Sequence, residues 1–198
     1  MKKYILILGM ALSLLACSSE EELDRTIFIP DPADSSLPAY TEMGYNSFGV
    51  KYERKYFTAS FDEIPCKIIY ENGSLSVTMT GFVDNDYKKS MLKFVFPVSV
   101  AMNDYSDLLT LNNVKLDLTD PDCVVTFTRE ETSTDTLDIR NGELHFKRAQ
   151  LLYVNDVENR VILSGTFYIQ FFNYSTHQPE SFSDGRFDFG INKDFYAF

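Results

Sequence analysis

Few side chains in this 198-residue chain can act as nucleophiles, proton carriers or soft metal ligands: His145, His177, Cys17, Cys66 and Cys123. Nucleophilic catalysis needs a base within reach of the nucleophile. His145 lies between Leu144 and Phe146 on the polar side of a strand pattern, and reads as an exposed sheet histidine. His177 sits in Tyr174-Ser175-Thr176-His177-Gln178-Pro179, a solvated loop before the last predicted strand. There is no Gly-x-Ser-x-Gly elbow and no glycine-rich phosphate loop. Two distant histidines and two distant cysteines do not make a zinc site. Asp84-Asn85-Asp86, Asn103-Asp104 with Asp107, and Asp117 with Asp120 and Asp122 are oxygen-rich. None matches a calcium loop, with its obligatory glycine and terminal glutamate, and Asx residues dominate ordinary turns. With 29 acids, no carboxylate pair stands out for glycoside hydrolysis. The expectation is a chain with no catalytic residues, no metal and no cofactor. A hydrolase using paired carboxylates is the remote alternative.

Recognition chemistry is a better prospect. The chain has no Trp but 12 Tyr and 17 Phe. Most Phe fall on alternating positions and are core. Tyr45, Tyr52, Tyr56, Tyr87, Tyr105 and Tyr174 lie in or near predicted loops and strand ends. They are the candidate ligand-facing aromatics, although a half-buried amphipathic tyrosine explains each one equally well.

Cys17 carries the clearest chemistry. Met1-Lys2-Lys3 is a short positive region, and Tyr4 to Leu15 is an apolar run too short to span a bilayer. The run ends in Leu14-Leu15-Ala16-Cys17, which resembles a bacterial lipobox. Residues 1–16 are therefore expected to be a signal peptide, with Cys17 lipidated and anchoring the chain to a membrane. Ser18-Ser19 is similar to the start of lipoproteins that leave the inner membrane. Glu20-Glu21-Glu22 resembles the export signal of Bacteroidota surface lipoproteins. The expected location is the outer membrane, at the cell surface, with its periplasmic face as the alternative.

Lys2 and Lys3 are two of the 18 basic residues, so without residues 1–16 the remaining 16 face 29 acids, a net charge of −13. Such a balance argues against nucleic acid as a partner. Cys66 and Cys123 each open a predicted strand and permit one disulfide in an exported chain; the alternative is two small buried hydrophobes.

Residues 17–40 read as an extended acidic and proline-rich linker, with Pro30, Pro32 and Pro38 lifting the domain from the membrane. Ile27-Phe28-Ile29 is the exception, readable as a short edge strand. Residues 41–198 read as one β domain. Leu75, Val77 and Met79 alternate with polar residues, as do Leu92, Phe94, Phe96 and Val98, and Phe187, Phe189 and Ile191. Asn72-Gly73 and Asn141-Gly142 are expected hairpin turns, with Asp184-Gly185 before the last strand. Tyr105, Leu108 and Leu109 allow about two helical turns, and no long helical stripe exists. The expected fold is all-β, an antiparallel β-sandwich, with a closed lipocalin-like barrel as the alternative. The terminal Phe198 also fits an outer-membrane barrel, but the polar linker argues against one.

Two stretches resemble small exported Bacteroidota lipoproteins, families described as domains of unknown function. Thr41-Glu42-Met43-Gly44-Tyr45-Asn46-Ser47-Phe48-Gly49 is similar to their opening motif. Leu163-Ser164-Gly165-Thr166-Phe167 with Ser183-Asp184-Gly185-Arg186-Phe187-Asp188 is similar to their closing hairpin. The Asn-Gly usual after the opening is Glu53-Arg54 here. The resemblance implies an exported β domain and assigns no activity. Arg186 and Asp188 read as an exposed cross-strand charge pair. The expected function is a non-catalytic binding or assembly module. The alternatives are a lipocalin-like small-ligand binder and, more remotely, a surface glycan-binding protein or hydrolase.

Overall fold

The computed structural model describes residues 25–60, 65–84, 88–154 and 157–197. Cys17, the leader and Tyr87 lie outside the described residues. The alternating stretches form β1 (Ser47–Tyr52), β2 (Lys55–Thr58), β3 (Cys66–Glu71), β4 (Ser74–Val83), β5 (Ser90–Pro97) and β6 (Val114–Asp117). They continue as β7 (Val124–Arg129), β8 (Ser133–Thr136), β9 (Asp138–Val154), β10 (Val157–Asn173), β11 (Gln178–Ile191) and β12 (Tyr196–Ala197). A 3-10 helix, Tyr105–Leu111, is the short helical stretch the spacing of Tyr105, Leu108 and Leu109 suggested.

With 60% strand and 4% helix, no helical layer exists to cover a sheet, so sheet must cover sheet. Strands pair in the order β6-β9-β10-β11-β1-β2 on one side and β8-β7-β5-β4-β3-β12 on the other. All pairs are antiparallel except β3 with β12. The two halves join where the end of β4 leaves β5 and pairs with β2, Phe57 opposite Val83 and Thr58 opposite Phe82. Gly81 makes this corner possible: a Cβ there would run into the Thr58 carbonyl and the Phe48 ring. The sheet does not close, which overturns the barrel alternative and leaves a β-sandwich.

Inward-facing rings from the two halves meet in the middle. Phe94 lies 5.4 Å from Phe167, Phe96 5.8 Å from Phe146, and Phe127 5.1 Å from Phe182. These edge-on and tilted contacts interlock the two sheets.

Several turn assignments change. Asn72-Gly73 does turn β3 into β4, with φ of 51° and 79°. Asn141-Gly142 does not turn; it lies within β9, paired to Gln170 and Ile169. Asp184-Gly185 is a bulge within β11, where Phe167 pairs Gly185 and Ile169 pairs Phe182. The β10–β11 turn is Tyr174–His177 instead. Burial of the long β9–β10–β11 meander outweighs a local turn preference worth about 1 kcal/mol.

Residues 25–40 are not a free linker from the point where the structure describes them. Ile27 donates its N–H to the Tyr45 carbonyl, and Asp31 and Ala39 close a loop through Leu37 and Ile29. Leu37 is fully buried, and Pro38 packs where Gly49 leaves room. Asp31 bonds to Arg186, while Asp34 meets Lys51 at 2.9 Å and accepts from Tyr56 at 3.2 Å. Asp31 and Asp34 thus have specific cationic partners, and the described part of the expected linker packs against the β domain instead of standing free of it.

Cys66 and Cys123 are both free thiols, so the disulfide the sequence permitted does not form. Cys66 is on β3 and Cys123 precedes β7, with β4 and β5 between. Three strand spacings separate them by about 14 Å, against the roughly 7 Å limit between Cα atoms for a disulfide.

Candidate functional site

The opening and closing motifs meet on the outer face of the first half-sheet. Asp188 is buried at 1% exposure, not exposed, and its partner is not Arg186. Its carboxylate accepts from Thr41 Oγ1 at 2.5 Å, Met43 N at 3.0 Å, Gly44 N at 2.8 Å and Tyr45 N at 3.3 Å. Asn46 adds a bond from Gly190 N to its Oδ1 at 3.0 Å. Successive N–H groups cradling one carboxylate form an anion nest, and here the anion is the protein's own. This latch holds the segment before β1, and Tyr45 belongs to it. It ties the two stretches to each other without giving either a reactive group.

A different arrangement occupies one end of the sandwich. There the inward-facing positions of several strands turn polar. Phe48, Val50 and Tyr52 share the inner face of β1, as do Val125, Phe127 and Arg129 on β7, and Phe182 and Glu180 on β11. Their ends converge on Glu180. Tyr52 donates its hydroxyl to Glu180 Oε2 at 2.6 Å, and Arg129 Nη2 donates to the same oxygen at 3.2 Å. Asn173 Nδ2 and Thr176 Oγ1 donate to Oε1 at 2.8 and 2.9 Å. The Arg129 guanidinium lies over the Tyr52 ring, 5.3 Å from its centroid, and 5.6 Å from that of Phe127. The Tyr52 ring also stacks on Phe182 at 4.7 Å.

The electrostatics follow from this crowding. Burial pushes the Glu180 carboxyl up, but the bonds from Tyr52, Asn173 and Thr176 and the Arg129 charge outweigh it and hold it below its ordinary value. Burial pushes the Tyr52 hydroxyl up, and its bond to Glu180 adds to the rise. A carboxylate with both oxygens engaged and a depressed pKa is a poor general acid or base. Its chemistry is to fix geometry.

Beside this network opens a cleft of about 520 Å³, lined by Tyr52, Arg54, Lys55, Ser90, Arg129 and Gln178 among others. Arg129 also walls a smaller recess of about 200 Å³ bordered by Tyr174. Glu53 at φ 55° and Glu130 at 49° line the cleft in left-handed backbone without glycine, as do their neighbours in the adjoining turns, Glu131 at 59° and His177 at 56°. Such strain concentrates at binding and catalytic sites in proteins generally.

Set against family models, curated proteins and solved structures, the chain finds no match in any of the three.

The six candidate tyrosines do not form one surface. Tyr52 is buried inside the cleft wall. Tyr174 is exposed at the same end, donating to Asp138 at 2.8 Å and set edge-on to Phe172. Tyr56 bonds Asp34 on the outer face. Tyr105 is half-buried on the 3-10 helix, packed against the core. His145 is half-buried, with Nε2 3.3 Å from Asn113 Oδ1, and burial and the Lys115 charge lower its pKa. In the oxygen-rich loops the described acids serve the backbone: Asp84 accepts from Tyr56 N, Asp104 and Asp107 cap the 3-10 helix, and Asp117 and Asp120 accept from Thr119 N and Asp122 N, while Asn85 and Asp86 lie outside the described residues. Among the described residues, no group of His, Cys, Asp and Glu is placed to hold a metal ion.

Sequence reasoning missed Arg129, Asn173, Thr176 and Glu180. A signal existed for two of them. Continuing the alternations of Val125-Phe127 and of Phe182 puts Arg129 and Glu180 on core-facing positions, where a charge needs a partner.

Proposed function

We propose that this chain is a lipid-anchored outer-membrane lipoprotein, displayed at the cell surface through Cys17, whose sandwich is a non-catalytic binding module using the end cleft. One observation carries the reading. The cleft is preorganised by the Glu180 network and sits at the end of the sandwich opposite the point where the chain enters it. Ile27 bonds Tyr45 just before the start of β1, whereas Tyr52 closes its far end. The Gly190–Glu180 stretch of β11 separates the two by about 30 Å. The stretch from Cys17 to Arg25 reaches at most about 28 Å. A short tether at one end and an open cleft at the other present the cleft away from the bilayer.

The anchor is tested by fractionation of Cys17→Ala beside the native chain. The variant is expected in the soluble fraction; finding it in the outer membrane removes the anchor. The module is tested by a glycan and peptide screen read by NMR at cleft amides. Saturable shifts confined to the cleft support the reading, and binding only elsewhere overturns it.

A further inference from the structure

The ligand class follows from which groups around the cleft are already engaged. Three carboxylates line it, Glu180 engaged through both oxygens and Glu53 and Glu130 through one each. Glu180 accepts from four side chains; Glu53 accepts from Ser181 N at 2.5 Å and Ser181 Oγ at 3.2 Å; Glu130 meets Lys88 at 3.5 Å. The cations are the reverse. Arg54, in the β1–β2 turn, and Lys55, which opens β2, are exposed and have no acidic partner among the described residues. Arg129 gives Glu180 its Nη2, and its buried Nε makes no hydrogen bond. The cleft therefore keeps two cations, Arg54 and Lys55, without a carboxylate partner at its mouth, while Glu180 has both of its oxygens engaged. This occurs in a chain of net charge −11, where chance placement would favour acids.

Resting on the cleft being the binding site, we infer that it takes a small carboxylate-bearing molecule, the chemistry shared by a uronic acid and a free peptide C-terminus. Arg54 and Lys55 supply mobile charge at the mouth, and the guanidinium of Arg129, fixed between Tyr52 and Glu180, supplies a planar donor edge inside. Of the described aromatic residues lining the cleft, Tyr52 is buried, stacked on Phe182 and under Arg129, and Phe127 is fully buried. Recognition here runs through charge and hydrogen bonds.

The test titrates the full-length chain in neutral detergent with four probes: D-glucuronate, D-glucose, acetyl-alanyl-alanine and its C-terminal amide. The amides of Tyr52, Lys55, Ser90, Arg129 and Gln178 report binding by NMR. One or both acids are expected to shift these signals saturably, and their neutral counterparts are not; the acid that binds names the source. Arg54→Ala/Lys55→Ala, exposed and distant from the core, is expected to weaken binding about tenfold. Lys67→Ala/Lys93→Ala, which removes equal charge from the outer face of the other half-sheet, should leave it unchanged. Equal binding of glucose or the amide at the cleft overturns the carboxylate inference and leaves the binding module standing. So does equal weakening by both double variants, which would mark non-specific attraction. No acid shifting the cleft overturns the inference outright, and a blank cleft in the wider screen removes the module with it.

Discussion

Four donors converge on the Glu180 carboxylate, and the consequences reach stability as well as recognition. Its folded pKa lies below the ordinary 4.5. The ionised form is therefore favoured by folding, and the stabilisation is fully present above pH 4.5 and lost as pH falls below it through the folded value. Glu180→Gln leaves Arg129 without its anion and is expected to cost about 1–3 kcal/mol near neutrality. The melting temperature of the variant should also fall less steeply than that of the native chain below pH 4.5. Melts across that range check both, and parallel curves would remove Glu180 from the acid response. Asp188 offers a sharper loss. Asp188→Ala strands the N–H groups of Met43, Gly44 and Tyr45, and is expected to cost about 3 kcal/mol or more by urea unfolding.

At the scale of elements, the β7–β8 hairpin is built on the wrong residues for its turn. Thr132 N donates to the Arg129 carbonyl at 2.9 Å across Glu130 and Glu131, both with positive φ. That is the geometry Asn-Gly adopts without strain. Replacing Glu130 by Asn and Glu131 by Gly is expected to stabilise the chain by about 1 kcal/mol, read as a raised melting temperature. The exposed Lys88 pair that is lost contributes little. The same comparison explains the misread Asn141-Gly142. An Asn-Gly dipeptide favours a turn, but in β9 it pairs along its length with β10, and Gly142 sits close against Leu118 and the Tyr168 carbonyl.

Across the whole molecule, pairing order decides which distant residues become neighbours. Two strands stand between Cys66 and Cys123, so reductant is expected to leave the melting temperature unchanged, and a drop would reinstate the bridge. Burial pushes the Cys66 thiol up, and burial with the nearby Asp120, Asp117 and Asp122 raises Cys123. Both are thus slow to react with thiol reagents in the native chain. The latch around Asp188 and the ion pairs of Asp31 and Asp34 bring residues before β1 against β11 and β1, which turns an apparent spacer into part of the domain.

The alternation of Leu75, Val77 and Met79, or of Phe187 and Phe189, marks a β class and an inner face from the sequence alone, because period two is a property of each strand by itself. The Asn72-Gly73 turn and the short helix at Tyr105 are equally local. The proposed lipidation of Cys17 likewise rests on adjacent residues, Leu14-Leu15-Ala16-Cys17. The cleft does not. Tyr52, Arg129, Asn173 and Glu180 come from four strand ends whose meeting depends on strand order, register and the corner at Gly81, terms set by burial summed over both sheets. Periodicity shows that Arg129 and Glu180 face inward, but only the tertiary structure shows that they face each other.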